Sequence, residues 1–239
     1  MLELQNISAA YRKGKENRII ENTDLQLAEG EILGIIGKNG SGKSTLAKAI
    51  INQIPRKEGV IYFKGNDISN KPTFRCIKDG IGYFPQGGRI FHNLSMRENL
   101  SFAGRHLSKK ERGKKLDGLS DFIPDIKDKS NSTKAGYLSG GKKNMLSLAM
   151  VLLQEPELLI LDEPAAGLSD ANAENLYNTL DKLLQGNKNK MSILIIEHRL
   201  EKLFKFADRV VMLKEKKIDE KARINKNMSL EEMNELYEN

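Results

Sequence analysis

Cysteine is almost missing from this chain and tryptophan is missing altogether: Cys76 is the single thiol among 239 residues. One thiol excludes an internal disulfide framework and a cysteine-rich zinc site, and it fits a reducing compartment. Proline is scarce, and no proline-, glycine- or serine-rich linker, internal repeat or low-complexity tract divides the sequence. No apolar run approaches the roughly 20 residues that a membrane-spanning helix needs. The opening MLELQNISAAYRKGK lacks the apolar segment of a secretory leader. A soluble, intracellular protein is therefore expected, one that could sit on a membrane protein without crossing the bilayer itself.

What is present is a globular composition, 39% hydrophobic and 30% charged, with a formal net charge of +7. The length suffices for a well-buried core. The basic residues fall in short clusters, Lys109, Lys110, Arg112, Lys114 and Lys115, then Lys188 and Lys190, then Lys214, Lys216 and Lys217. Acidic residues are interspersed, so these read as solvated helix faces and turns, and no nucleic-acid partner is expected.

Hydrophobic periodicity predicts strands at Leu2–Ser8, Ile19–Leu27, Glu31–Ile36, Val60–Phe63, Ile81–Phe84, Leu158–Leu161, Ser192–Ile196 and Arg209–Leu213. Helical spacing marks Lys43–Ile54, stopped by Pro55, and then Gly140–Gln154, Ala171–Gln185 and Leu200–Ala207. Strands and helices alternate in the second half, which argues for a parallel α/β sheet. Gly87–Leu138 is more polar and leans helical around Met96–Phe102 and Lys109–Leu119, as a small helical insertion between sheet strands would. Near the C-terminus, Ser229 and Glu232 form a capping-box pattern for a short peripheral helix.

Two segments carry chemistry. Gly37-Lys38-Asn39-Gly40-Ser41-Gly42-Lys43-Ser44-Thr45 matches G-x-x-x-x-G-K-[ST], after an expected buried strand and at the start of an expected helix. Its glycines allow the backbone N–H groups to converge into an anion-binding nest. The helix that follows adds its positive end. Lys43 places a cation at the β/γ-phosphates, the Ser44 hydroxyl is a hard ligand for Mg²⁺, and Thr45 can reach an α-phosphate oxygen. The second segment, Leu158–Pro164, is an apolar strand ending in two carboxylates. Asp162 can reach the magnesium shell, and Glu163, facing differently, is free to accept a hydrogen bond from an attacking water.

From about residue 2 to residue 220 the chain resembles an ATP-binding cassette (ABC) ATPase. Leu138-Ser139-Gly140-Gly141-Lys142 is similar to the family's LSGGQ signature, with Lys142 where glutamine is usual and Met145 and Met150 where arginines are common. Gly167-Leu168-Ser169-Asp170 resembles the loop that crosses the family's dimer interface. The resemblance implies an α/β P-loop NTPase fold: a RecA-like core with an antiparallel β subdomain and an inserted α-helical subdomain. The whole of 1–239 would be one nucleotide-binding domain, with the helical subdomain at about 87–155 and a peripheral tail at 222–239.

The resemblance also implies ATP and Mg²⁺ as cofactors, with Ser44, Gln86 and Asp162 at the metal, Tyr11 stacked on adenine, and Glu163, Lys43 and His198 at the γ-phosphate. It further implies a head-to-tail dimer, with a second copy or a homologue, in which Ser139, Gly140 and Gly141 of one chain face the phosphates held by the other. Separate permease subunits would hold the protein on the inner face of the cell membrane. Within the family, PQGGRIFHNLSMRENL looks most like the ATPases of branched-chain amino-acid and urea importers, with the lipopolysaccharide-export ATPase second. The remaining alternatives are a soluble ABC ATPase without a transport role and, through Lys142, a regulatory nucleotide-binding subunit with little turnover.

Overall fold

The computed structural model describes residues 1–120, 123, 133–186, 191–198 and 200–224. In chain order the strands are β1 (Leu2–Ala10), β2 (Arg18–Leu27), β3 (Ile32–Ile36), β4 (Arg56–Phe63), β5 (Asn66–Asp67), β6 (Ile81–Phe84), β7 (Leu158–Asp162), β8 (Ser192–Ile196), β9 (Arg209–Lys214) and β10 (Lys217–Ile224). The helices are α1 (Lys43–Ile50), α2 (Thr73–Lys78), α3 (Met96–Ala103), α4 (Lys109–Ser120), α5 (Gly140–Leu152), α6 (Asp170–Gly186) and α7 (Leu200–Phe206).

The strands form two sheets. One is antiparallel, in the order β2-β1-β4-β5; the other runs β10-β9-β3-β8-β7-β6. The second is parallel from β9 to β6, with β10 antiparallel at its edge. Its central strands are apolar on both faces because both faces are covered. Alternate residues of one strand enter opposite cores: Leu158 and Ile160 pack with α1 and the antiparallel sheet, while Leu159 and Leu161 pack with α5 and α6. Burying each such side chain stabilises the fold by about 1.5–3 kcal/mol. A one-residue slip of β7 would exchange the two sets, so its register is firmly specified.

The parallel order fixes the position of the site. The phosphate loop leaves the C-terminal end of β3, Asp162 ends β7, His198 lies just past β8 and Gln86 just past β6. All four strand ends lie on one edge of the sheet, where ligands of open parallel sheets bind.

Within the described residues the expected strands and helices are present, and several boundaries move. The helix expected to run to Ile54 ends at Ile50, because Asn52 adopts a left-handed φ of 57°. Its side-chain amide donates to the carbonyls of Ile68 (2.7 Å) and Lys71 (2.8 Å). Helix α2 was not anticipated: it has six residues, and only Cys76 among them is buried. Strand β10 was not anticipated either, since its sequence, KIDEKARI, is polar and pairs only at the sheet edge. Residues 222–224 continue that strand instead of opening a tail. Ser229, Glu232, Lys188 and Lys190 lie outside the described residues. Among the described residues no helix is long and apolar enough to cross a membrane.

The span from Gly87 to Leu138 contains α3 and α4. Ser95 caps α3 in a reciprocal box with Glu98. Asn99, fully buried, bonds the backbone of Phe91, Leu94 and Ser95 and so fixes the loop that follows Gln86.

Candidate active site

The phosphate loop is built on positive φ angles, 155° at Gly37, 80° at Gly40 and 107° at Gly42. A Cβ at Gly37 would lie 2.4 Å from the Leu213 carbonyl oxygen, so only glycine fits there. The loop tip, Lys38, Asn39 and Gly40, is exposed, while Lys43 and Thr45 are buried at the foot of α1. Lys43 Nζ donates to the Gly37 carbonyl at 2.7 Å and the Lys38 carbonyl at 3.1 Å, bracing the loop across its mouth. Burial lowers the Lys43 pKa, and the charges of Glu163 and Asp162 act against that shift. Ser41 Oγ is buried beside Gly37 without a hydrogen-bond partner. An unsatisfied hydroxyl inside a cradle of backbone amides suits a phosphate oxygen.

At the second residue of α1, Ser44 Oγ donates to Asp162 Oδ1 at 2.7 Å. Tyr83, on β6, donates its hydroxyl to Asp162 Oδ2 at 3.0 Å. Asp162 is 2% exposed. Burial raises its pKa, and the two hydroxyl bonds oppose the rise. The Tyr83 phenol is pushed far up, first by burial, then by the Asp162 charge and its hydrogen bond, with a smaller contribution from nearby Tyr11. Two hard oxygens in contact at the mouth of an amide nest, Ser44 Oγ and Asp162 Oδ1, fit Mg²⁺ better than a softer ion.

Glu163 departs from expectation. Its φ of 49° is left-handed, and its N–H is tied to the Ile196 carbonyl at 3.0 Å. The carboxylate lies across the strand ends and is not free: Gln86 Nε2 donates to Oε2, and His198 Nε2 is 2.6 Å from Oε1. The strained backbone turns the side chain toward the two residues that leave β6 and β8. Glu197 positions the histidine from behind. This buried carboxylate accepts the His198 N–H at 2.8 Å and the Ala165 N–H at 3.2 Å.

The structure thus brings Lys43, Ser44, Asp162, Glu163, Gln86 and His198 to one edge. Tyr11, just past β1, is 46% exposed near Tyr83. Ser139, Gly140 and Gly141 are elsewhere, at the start of α5. Ser139 caps the helix, its Oγ accepting the Lys142 N–H at 3.5 Å, and Ser139 and Gly140 are exposed. Gly141 is covered by the Asn172 side chain, which would clash with a Cβ at 2.6 Å. Asn144, one turn into α5, donates to the Pro164 carbonyl at 2.6 Å. Sequence reasoning missed Tyr83, Glu197 and Asn144. Tyr83 was detectable from its place in the strand leading to Gln86, and Glu197 from its adjacency to His198. Asn144 carried no signal.

The sequence pattern of the family described as ABC transporter matches residues 20–166, and the chain belongs to that family. It is 33% identical to the probable branched-chain amino acid transport ATP-binding protein LivF of Archaeoglobus fulgidus, over 89% of this chain and 88% of that one. It is 28% identical to the high-affinity branched-chain amino acid transport ATP-binding protein BraG of Pseudomonas aeruginosa, over 91% of each. Among solved structures it is similar to an ATP-binding subunit of an ABC transporter, with a TM-score of 0.80, 25% identity and 99% of each chain covered. A dimeric ATP-binding cassette in a post-hydrolysis state bound to ADP and Pi shares the fold, with a TM-score of 0.80 at 23% identity, covering 96% of this chain and 100% of that one.

Proposed function

We propose that this chain is the ATP-hydrolysing subunit of a membrane transporter. It works as one of two such subunits on separate permease subunits, and the cargo is an amino acid or a similar small polar solute. The observation that carries this reading is the meeting of the phosphate loop, the Ser44–Asp162 pair and the Glu163–His198 pair at one sheet edge. The cargo class follows the branched-chain amino acid transport proteins to which the chain is similar.

In this reading the amides of Gly37 to Gly42 and the hydroxyls of Ser41 and Thr45 receive phosphate oxygens, and Lys43 turns from the loop carbonyls to the β/γ-phosphates. Tyr11 stacks on the adenine. Ser44, Asp162 and Gln86 would hold Mg²⁺, which when bound neutralises and orients the β/γ oxygens. Glu163 accepts a proton from the attacking water and aims its oxygen at the γ-phosphorus. His198, held by Glu197, keeps the Glu163 carboxylate in place and lies where the γ-phosphate would be contacted. Ser139, Gly140 and Gly141 present the positive end of α5 to the nucleotide of a partner in a head-to-tail pair.

The span 87–155 serves as the helical subdomain. Between it and the sheet lies a groove of about 940 Å³, lined in part by the exposed rings of Phe74, Phe91 and Phe102. It starts beside Gln86, and a permease segment seated there would keep the protein on the inner face of the membrane and sense the state of the site. The test is phosphate release: Glu163→Gln should bind ATP as the wild type does and turn it over about 10²–10⁴-fold more slowly. Turnover at the wild-type rate would remove Glu163 from its role.

A further inference from the structure

We infer that Tyr137 binds the purine base of a nucleotide held by a second copy of this chain. The inference rests on the head-to-tail pairing proposed above and adds base recognition to it. Tyr137 is 80% exposed, more than any other large hydrophobic side chain among the described residues. A single ring in water is ordinary; the rigidity of its mounting is not. The turn Ala135–Tyr137 is pinned to the loop before α3, with the Ala135 N–H on the Leu94 carbonyl (2.8 Å) and the Gly136 N–H on the His92 carbonyl (2.9 Å). Inside the turn, the Tyr137 N–H bonds the Lys134 carbonyl at 3.0 Å and the Leu138 N–H the Ala135 carbonyl at 3.1 Å. Ala135 is fully buried, and a Cβ at Gly136 would lie 3.1 Å from the His92 carbonyl oxygen. The ring therefore projects from a fixed base and loses little freedom when it meets a partner.

Position supplies the ligand. Two residues further on, Ser139 caps α5, whose exposed N-terminal end faces the partner's terminal phosphate in the proposed pair. Two residues span at most about 7 Å of chain, and the tyrosine side chain extends beyond that. With the phosphate end of the nucleotide at Ser139, an exposed ring two residues away is within reach of the rest of the same molecule. On the nucleotide's own protomer, exposed Tyr11 offers one aromatic face; Tyr137 of the facing copy offers a second. Base–aromatic stacking tolerates any base and rewards ring area, which favours a purine over a pyrimidine.

The test uses the full chain carrying Glu163→Gln and follows nucleotide-driven dimerisation by analytical ultracentrifugation at saturating ATP or UTP. Adding Tyr137→Ala should weaken ATP-driven dimerisation about tenfold or more and shrink the preference for ATP over UTP. Tyr137→Phe should preserve both, and the affinity of the monomer for ADP should not change in either variant. Equal dimerisation of the Tyr137→Ala chain overturns the assignment. So does a loss of equal size with ATP and UTP, which would make Tyr137 a protein–protein contact. Absence of any dimer in the Glu163→Gln parent is a different result: it removes the pairing itself and this assignment with it.

Discussion

Replacing Lys43 by methionine separates what the phosphate loop needs for folding from what it needs for nucleotide. The Lys43 side chain is almost fully buried, its ammonium bound to two loop carbonyls at 2.7 and 3.1 Å, and burial holds its pKa below the ordinary lysine value. The substitution forfeits two charge-assisted hydrogen bonds worth about 1.5–3 kcal/mol each. It also relieves a desolvation cost of the same order, while methionine retains most of the packed stem. These terms nearly cancel, so stability in urea melts should stay within about 1 kcal/mol of the wild type. Affinity has no such compensation. Charge-assisted bonds to phosphate oxygens contribute about 1.5–3 kcal/mol each, and losing even one raises Kd about 10- to 150-fold. Calorimetric titration with a non-hydrolysable ATP analogue reads that change. Unchanged affinity would refute the assignment of the loop. A stability loss of about 3 kcal/mol or more would show Lys43 to be a strut whose removal damages the cradle itself.

Gly37→Ala should cost about 3 kcal/mol of stability, because the new Cβ would press on the Leu213 backbone at 2.4 Å while φ is 155°; a loss below about 0.5 kcal/mol in urea melts would contradict the close approach. Lys57 bonds Asn52 and the Ser69 carbonyl, and burial pushes its pKa from 10.5 down to about 8. The folded chain therefore releases this proton before the unfolded chain does, and the cost of holding the charge is fully present below pH 8 and lifts as pH rises to 10.5. Wild-type stability should gain on Lys57→Met across that window by about 1 kcal/mol, the shift being discounted for partial exposure; a pH-independent difference would refute it.

The parts of the site that sequence reveals are those where strand polarity and fixed spacing act together. An apolar run followed by Gly37–Thr45, and another ending in Asp162-Glu163, can only deliver their polar ends to the same sheet edge once the strands are parallel. Contacts between distant segments left no such trace. The Glu163 carboxylate is held between Gln86 and His198 only because the left-handed backbone turns it there. Lys57, within the polar run Arg56-Lys57-Glu58, reads as solvated, yet the turn after α1 and the Ser69 segment close over it. Helix α2 escaped notice because only Cys76 of its side chains is buried, and strand β10 because its sequence is polar, so hydrophobic period has nothing to register.

The bond from Asn144 to the Pro164 carbonyl ties α5 to the turn that follows β7. One end of α5 is a surface a neighbour can press; a single turn later, that same rod is bolted to the peptide next to Glu163. Such a linkage acts as a crank. A tilt of the rod from outside would pull on the Pro164 peptide next to Glu163, and a shift there would be felt at the rod's outer tip. The other face of that amide, Oδ1, is buried and bonded to nothing, so no second hydrogen bond through that oxygen resists the pull.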